Sequence, residues 1–340
     1  MRSIDEPNVT TSQSELLKLL IGGWVSSSIG AAVDLGLADL LRRGAMDGEA
    51  VAAAMGVAPE SLTRLLRMLR ALGIVVRDDD RRYSLSPIGE LLRSDHPQSM
   101  RNLVRLYQEQ YFADAWSELV PALRDGEQPF TRAHGETVFD YLGSRPDALA
   151  VYGSGIAVGS MFVADLPNVY DFGGKCVVDV GGGDGTLLDV ILAAVPDSTG
   201  RLIERQAVVS AAVDRLQEYI AQQRCEVFAG NFFDPLPAGG DVAVLCRILH
   251  NWDDERARAI LENCRAAMRA GSPLLIIERV VSDLRPTPVA TAFDMHMFVM
   301  TSGRERTDEE YRRLLASAGF ELVSIKGLPL EMSLVEAHAR

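Results

Sequence analysis

With 340 residues, 47% of them hydrophobic and 24% charged, the chain has apolar material for two separate cores, which excludes a disordered polypeptide. A formal net charge of −13 sets it against polyanions, so nucleic acid is not an expected partner. Its four cysteines, Cys176, Cys225, Cys246 and Cys264, show no CxxC spacing and no nearby histidine pairs; they are expected as reduced thiols, with no metal site.

The N-terminus, Met1–Glu6, lacks the apolar core of a signal peptide. No uninterrupted apolar run approaches membrane-spanning length. A cytoplasmic protein without membrane contact is therefore expected. Leu16, Leu17, Leu20 and Trp24, then Val33, Leu37, Leu40 and Leu41, recur at helical spacing. Two further helices follow, one ended by Gly56, the other opened by Pro59 and ended by Gly73. Ile74-Val75-Val76 and Tyr83-Ser84-Leu85 alternate like paired strands around a charged tip. Helices followed by a hairpin make a winged-helix pattern over residues 1–100.

Residues 101–170 read as a helical connector with scattered aromatics. From 171 to 340, short apolar strands alternate with helices, at Cys176–Val180, Gly200–Ile203, Glu226–Ala229, Val242–Cys246 and Leu274–Glu278. That alternation predicts parallel βαβ units, and the last two strands, Glu321–Lys326 and Ser333–Ala337, form an antiparallel edge. Ligands of such a sheet sit beyond the strands' carboxyl ends.

The first of those ends is Asp179-Val180-Gly181-Gly182-Gly183-Asp184-Gly185-Thr186. A dinucleotide fingerprint needs G-x-G-x-x-G, and here the third glycine is off by one. Asp179 and Asp184 suit a cofactor bearing an ammonium and a sulfonium better than one bearing two phosphates, which points to S-adenosylmethionine, with S-adenosylhomocysteine as its product. Glu204, at the end of the second strand, is placed to accept ribose hydroxyls; Asn231 and Phe232, after the third, are placed for the adenine.

His250 follows the fourth strand, Glu278 ends the fifth, and Glu305 lies in a loop ahead of a helix capped by Thr307 and Glu310. Methyl transfer from a sulfonium needs an aligned acceptor stripped of its proton. A phenol is a poor nucleophile at neutral pH; a histidine oriented by a carboxylate is a suitable base for it. The acidic pair Asp253-Asp254 falls at a helix start, where capping accounts for it, so a metal-dependent reaction is not predicted.

These motifs, in order, resemble the small-molecule O-methyltransferases that include plant caffeic-acid and bacterial polyketide-tailoring enzymes. The resemblance is carried by Asp34–Leu41, Leu65–Gly73, Tyr83–Gly89, Asp179–Gly185, Leu249–Trp252 and Gly303–Thr307. It implies an α/β fold: a Rossmann-like class I methyltransferase domain preceded by a mostly α winged-helix dimerisation domain. It further implies a homodimer, a small aromatic acceptor in secondary-metabolite biosynthesis, and His250 as base flanked by Glu278 and Glu305. Met161, Phe162, Met295 and Phe298 are placed near the acceptor by position only. The chain departs from the family pattern at Glu204-Arg205-Gln206, at Gly230-Asn231, at Asn251 after the histidine, and at Cys246, a cofactor-binding position that in the family is often lysine or serine. Two rival readings stay open. A relative that holds the same cofactor but performs hydroxylation, decarboxylation or pericyclic chemistry would share the loop. A DNA-binding regulator would use Arg64, Arg67 and Arg70, although residues 1–100 carry 11 basic against 13 acidic side chains.

Overall fold

The computed structural model describes residues 9–158 and 160–340, so the expectation about Met1–Glu6 lies outside the described residues. The chain divides into two compact units, Met1–Glu109 with Ser154–Gly159, and Gln110–Gly153 with Ser160–Arg340. The stretch 101–170 is thus shared between both.

In the first unit, strands β1 (Met46–Asp47), β2 (Val75–Arg77) and β3 (Arg82–Leu85) form a small antiparallel sheet in the order β1-β3-β2. The helix Pro59–Ala71 buries Leu62, Leu66 and Leu69 on one stripe. Arg64, Arg67 and Arg70 fall between those leucines and are exposed, the ordinary arrangement of an amphipathic helix.

The second unit is built on a seven-stranded sheet. Its strands are β4 (Cys176–Val180), β5 (Thr199–Glu204), β6 (Cys225–Ala229), β7 (Val242–Cys246), β8 (Pro273–Glu278), β11 (Phe320–Leu328) and β12 (Met332–Ala339), in the order β11-β12-β8-β7-β4-β5-β6. A separate parallel pair, β9 (Val280–Val281) and β10 (Arg306–Thr307), lies between β8 and β11 in sequence. Pairing from β6 across to β8 is parallel; β12 lies antiparallel to β8, and β11 antiparallel to β12. Apolar residues on both strand faces are covered. Val177 and Val244 pack with Leu187, Leu188 and Leu216 on one side, Val178 and Leu245 with Ile260, Leu261 and Leu315 on the other. The chain runs outward from β4 through β5 and β6, then returns to β7 on β4's opposite side. That reversal opens a crevice at the carboxyl ends of β4 and β7.

Pro146–Val169, 24 residues, is long and apolar enough by composition to cross a membrane. Its described residues form the helix Pro146–Val158, a 3₁₀ turn, Met161–Asp165, and a short helix, Leu166–Val169. Phe162, Val163 and Leu166 pack into the core of the sheet.

Candidate functional site

The glycine turn after β4 is shaped by what side chains would strike. Gly181 has φ +74°, and a Cβ there would lie 2.6 Å from Ile248 Cδ1; at Gly182 it would lie 2.5 Å from Asp179 Oδ2. Gly183 donates its amide to Glu204 Oε2 at 3.0 Å, tying the turn to the end of β5. Asp184 is already engaged: Oδ1 accepts from Thr186 N (3.2 Å) and Oγ1 (2.7 Å), and Oδ2 pairs with Arg215 at 2.7 Å. Its charge is spent on the helix start and on Arg215.

Asp179 is different. It is fully buried, and neither carboxylate oxygen has a hydrogen-bond partner among the described residues. Burial, then the negative charges of Glu204 and Asp184, pushes its carboxyl up to about 8. Once ionised, a buried acid beside two other acids needs a cation, so the turn fits the charge pattern of a sulfonium and ammonium donor. Cys246, at the end of β7, has its thiol raised by burial and then by Asp179. Asn231 is exposed, with Oδ1 accepting from Phe233 N at 3.1 Å; Phe232 packs edge-on to Phe233 and Trp252.

His250 sits on a 3₁₀ turn after β7 and is 3% exposed. Its Nδ1–H donates to Glu305 Oε1 at 3.1 Å, which leaves the lone pair on Nε2. Glu278 acts on the backbone instead of the ring: Oε1 accepts from His250 N at 3.1 Å, and Oε2 accepts from the Tyr311 hydroxyl. Of the two predicted flanking glutamates, only Glu305 touches the imidazole. The reason is geometric, since Glu278 ends the strand next to the turn and reaches its amide first.

Four residues that sequence reasoning missed hold this turn. Arg306 is fully buried and donates to Leu249 O (3.0 Å), Trp252 O (2.9 Å) and Asp254 Oδ1 (2.9 Å), spanning the carbonyls either side of His250. Gly303 lies so close that a Cβ would stand 1.9 Å from His250 O. Asp294 Oδ1 accepts from Glu305 N at 2.9 Å, and Tyr311 orients Glu278. The Gly-Arg-Glu-Arg run was the available signal; its contacts span 52 to 57 residues of sequence.

His296, on the helix Pro288–Met300 that also carries Met295 and Phe298, has its ring 5.2 Å from Phe112 and stacked 6.4 Å from Trp116. Burial, then the charges of His250 and Arg247, pushes it down to about 4. Met161 is half-buried, whereas Phe162 is 1% exposed and packs within the sheet's core. Asp253 caps the helix after His250 by accepting from Arg256 N at 2.8 Å. Among the described residues no three His, Cys, Asp or Glu side chains gather as a metal site, and all four cysteines are free thiols.

Residues 116–321 match an O-methyltransferase domain, and residues 17–95 match an O-methyltransferase dimerisation domain. The chain is similar to 3-amino-4-hydroxybenzoate 4-O-methyltransferase of Streptomyces cremeus, 38% identical over 97% of this chain and 91% of that one. It is also similar to phenazine-1-carboxylate N-methyltransferase of Pseudomonas aeruginosa, 35% identical over 95% and 96% of the two chains. A solved O-methyltransferase of neocarzinostatin biosynthesis, in complex with S-adenosylmethionine and 2-hydroxy-5-methyl naphthoic acid, superposes with a TM-score of 0.74 at 32% identity, over 93% of this chain and 96% of that one.

Proposed function

The chain belongs to the O-methyltransferase family, and from that premise we propose that it methylates a hydroxyl of a small aromatic molecule, with S-adenosylmethionine as donor. The observation that carries this reading is the buried His250–Glu305 pair on the turn after β7, at the same end of the sheet as the unpartnered carboxylate of Asp179.

When bound, the donor supplies a methyl group on a positively charged sulfur that is already a good leaving group. The protein's share is to hold, align and deprotonate. Asp179 receives the donor's cationic end, Glu204 its ribose, and Asn231 with Phe232 its adenine; Gly181 and Gly183 admit it by lacking side chains. Asp184 acts indirectly, by fixing the helix start after the turn.

His250 Nε2 accepts the acceptor's hydroxyl proton as the oxygen becomes nucleophilic. Glu305 fixes the tautomer and stabilises the imidazolium that results. Glu278, Tyr311, Gly303 and Arg306 hold the turn so that Nε2 faces one point. Alignment of this kind is worth up to ~7–11 kcal/mol of the barrier, and the base a further factor of ~100–10,000. Met161, Met295 and Phe298, with the rings around His296, supply apolar walls for a flat acceptor. Phe162 belongs to the packing behind them.

We read the assembly as a homodimer. The dimerisation domain supports this, as do Leu16, Leu17, Leu19, Leu20 and Trp24, each more than half exposed on the first two helices. Light scattering should find particles of twice the 37.0 kDa chain mass.

The function is tested by offering the purified protein a methyl-labelled donor with a panel of hydroxylated aromatics. The expected result is label on one oxygen, with one S-adenosylhomocysteine formed per product. Failure of S-adenosylhomocysteine to bind by calorimetry, while a nicotinamide dinucleotide binds, would overturn it.

A further inference from the structure

Arg247 stands between the end of β7 and the His250 turn, and its backbone is in the left-handed region, φ +58°. A long side chain there is strained, and such strain persists only where neighbours impose it. Two bonds do so: Arg247 N donates to Ile277 O at 3.0 Å, and Asn251 Nδ2 donates to Arg247 O at 3.0 Å. From there its Nη1 donates to Ser160 Oγ at 3.4 Å, next to Met161 in sequence.

The guanidinium lies close enough to depress protonation of His296 and to act on the hydroxyl of Tyr152. With His296 pushed down to about 4, it is neutral at pH 7. Arginine cannot lose its proton, so Arg247 is a fixed positive charge beside Ser160. Its planar fork matches a carboxylate better than any other anion of small-molecule size, phosphate excepted.

Resting on the proposed function, we infer that Arg247 binds a carboxylate brought into the crevice by a ligand. That group is the acid of an aromatic hydroxy acid or the amino-acid carboxylate of the donor; the chemistry is shared, and experiment separates the sources. For an aromatic acid, Arg247 would fix which ring hydroxyl meets His250 Nε2, so this residue would select both substrate and position.

The test compares the wild-type protein with Arg247→Gln and Arg247→Lys. Each is measured for S-adenosylhomocysteine affinity by calorimetry, and for KM and kcat with matched pairs of hydroxybenzoates and their methyl esters. If the acceptor supplies the carboxylate, Arg247→Gln raises KM for the acids about 30-fold or more, leaves the esters and the product affinity within about twofold, and Arg247→Lys recovers part of the loss. If the donor supplies it, the product affinity of Arg247→Gln falls by a similar factor and acids and esters suffer alike. Unchanged product affinity together with equal effects on acids and esters overturns the inference. Should no hydroxylated aromatic of any kind be methylated while S-adenosylhomocysteine still binds, the proposed acceptor class fails instead, and the calorimetric arm still reports on Arg247.

Discussion

At the His250 end of the crevice the protein has supplied partners for itself. Glu305 takes the ring, Glu278 the backbone amide, and Arg306 the carbonyls on both sides. At the Asp179 end, by contrast, a glycine turn encloses a carboxylate that has no hydrogen-bond partner among the described residues and is pushed up to about 8. In the proposed reaction the first end is the one that transfers a proton. The second is left unpartnered, and on the proposed function a ligand's positive charge completes it. The proposed function therefore divides gripping a cation and orienting a base between two strand ends.

The comparison breaks most readily at Asp179. Asp179→Asn should weaken S-adenosylhomocysteine binding by roughly 100-fold, because a charge-assisted contact is lost where nothing replaces it. The free protein should respond in the opposite sense. With the folded value about 8 and the unfolded value about 4, the wild type holds an extra proton between those limits, so Asp179's contribution is full below about pH 4 and is lost as pH rises toward 8. Thermal melts at pH 8 should show Asp179→Asn more stable by roughly 2 °C or more. A variant that binds normally, or melts lower, would contradict the reading of that carboxylate.

Gly303→Ala probes the other end. A Cβ placed 1.9 Å from His250 O must displace the turn, and a shift near 1 Å costs about 100-fold in rate. The expectation is a kcat lower by roughly 10- to 100-fold with S-adenosylhomocysteine affinity unchanged, measured by steady-state kinetics and calorimetry on the same preparation. Parallel losses in both would mean that the two ends are not independent.

The smallest effect is a proton count. At pH 7 a carboxyl of pKa about 8 is about nine-tenths protonated, and a bound cation drives it to ionise. Titrating S-adenosylhomocysteine in buffers of different ionisation enthalpy should show release of nearly one proton at pH 7, falling toward zero by pH 9.

The glycine turn, the position of His250 and the capping of the helix after Glu305 were legible in sequence because each is written in a run of neighbours. The sheet was legible for the same reason: five strands and their crossovers are local patterns. What stayed hidden depends on contacts across the chain. Glu278 and Glu305 look alike as strand-end and loop acids, but only the fold places one on the backbone and the other on the ring. Asp184 looks free until Arg215, 31 residues on, is seen to take it. Arg306 reads as a surface arginine, and its burial under the His250 turn follows only from β9 pairing with β10.

The central claim is that His250 removes the acceptor's proton and takes no part in holding the donor. Single-turnover methyl transfer by His250→Gln, run beside S-adenosylhomocysteine calorimetry on the same protein, tests it most directly. The account predicts a rate lower by about 100- to 10,000-fold with product affinity within about twofold of wild type. Methylation at an undiminished rate, or loss of rate and affinity together, would contradict it.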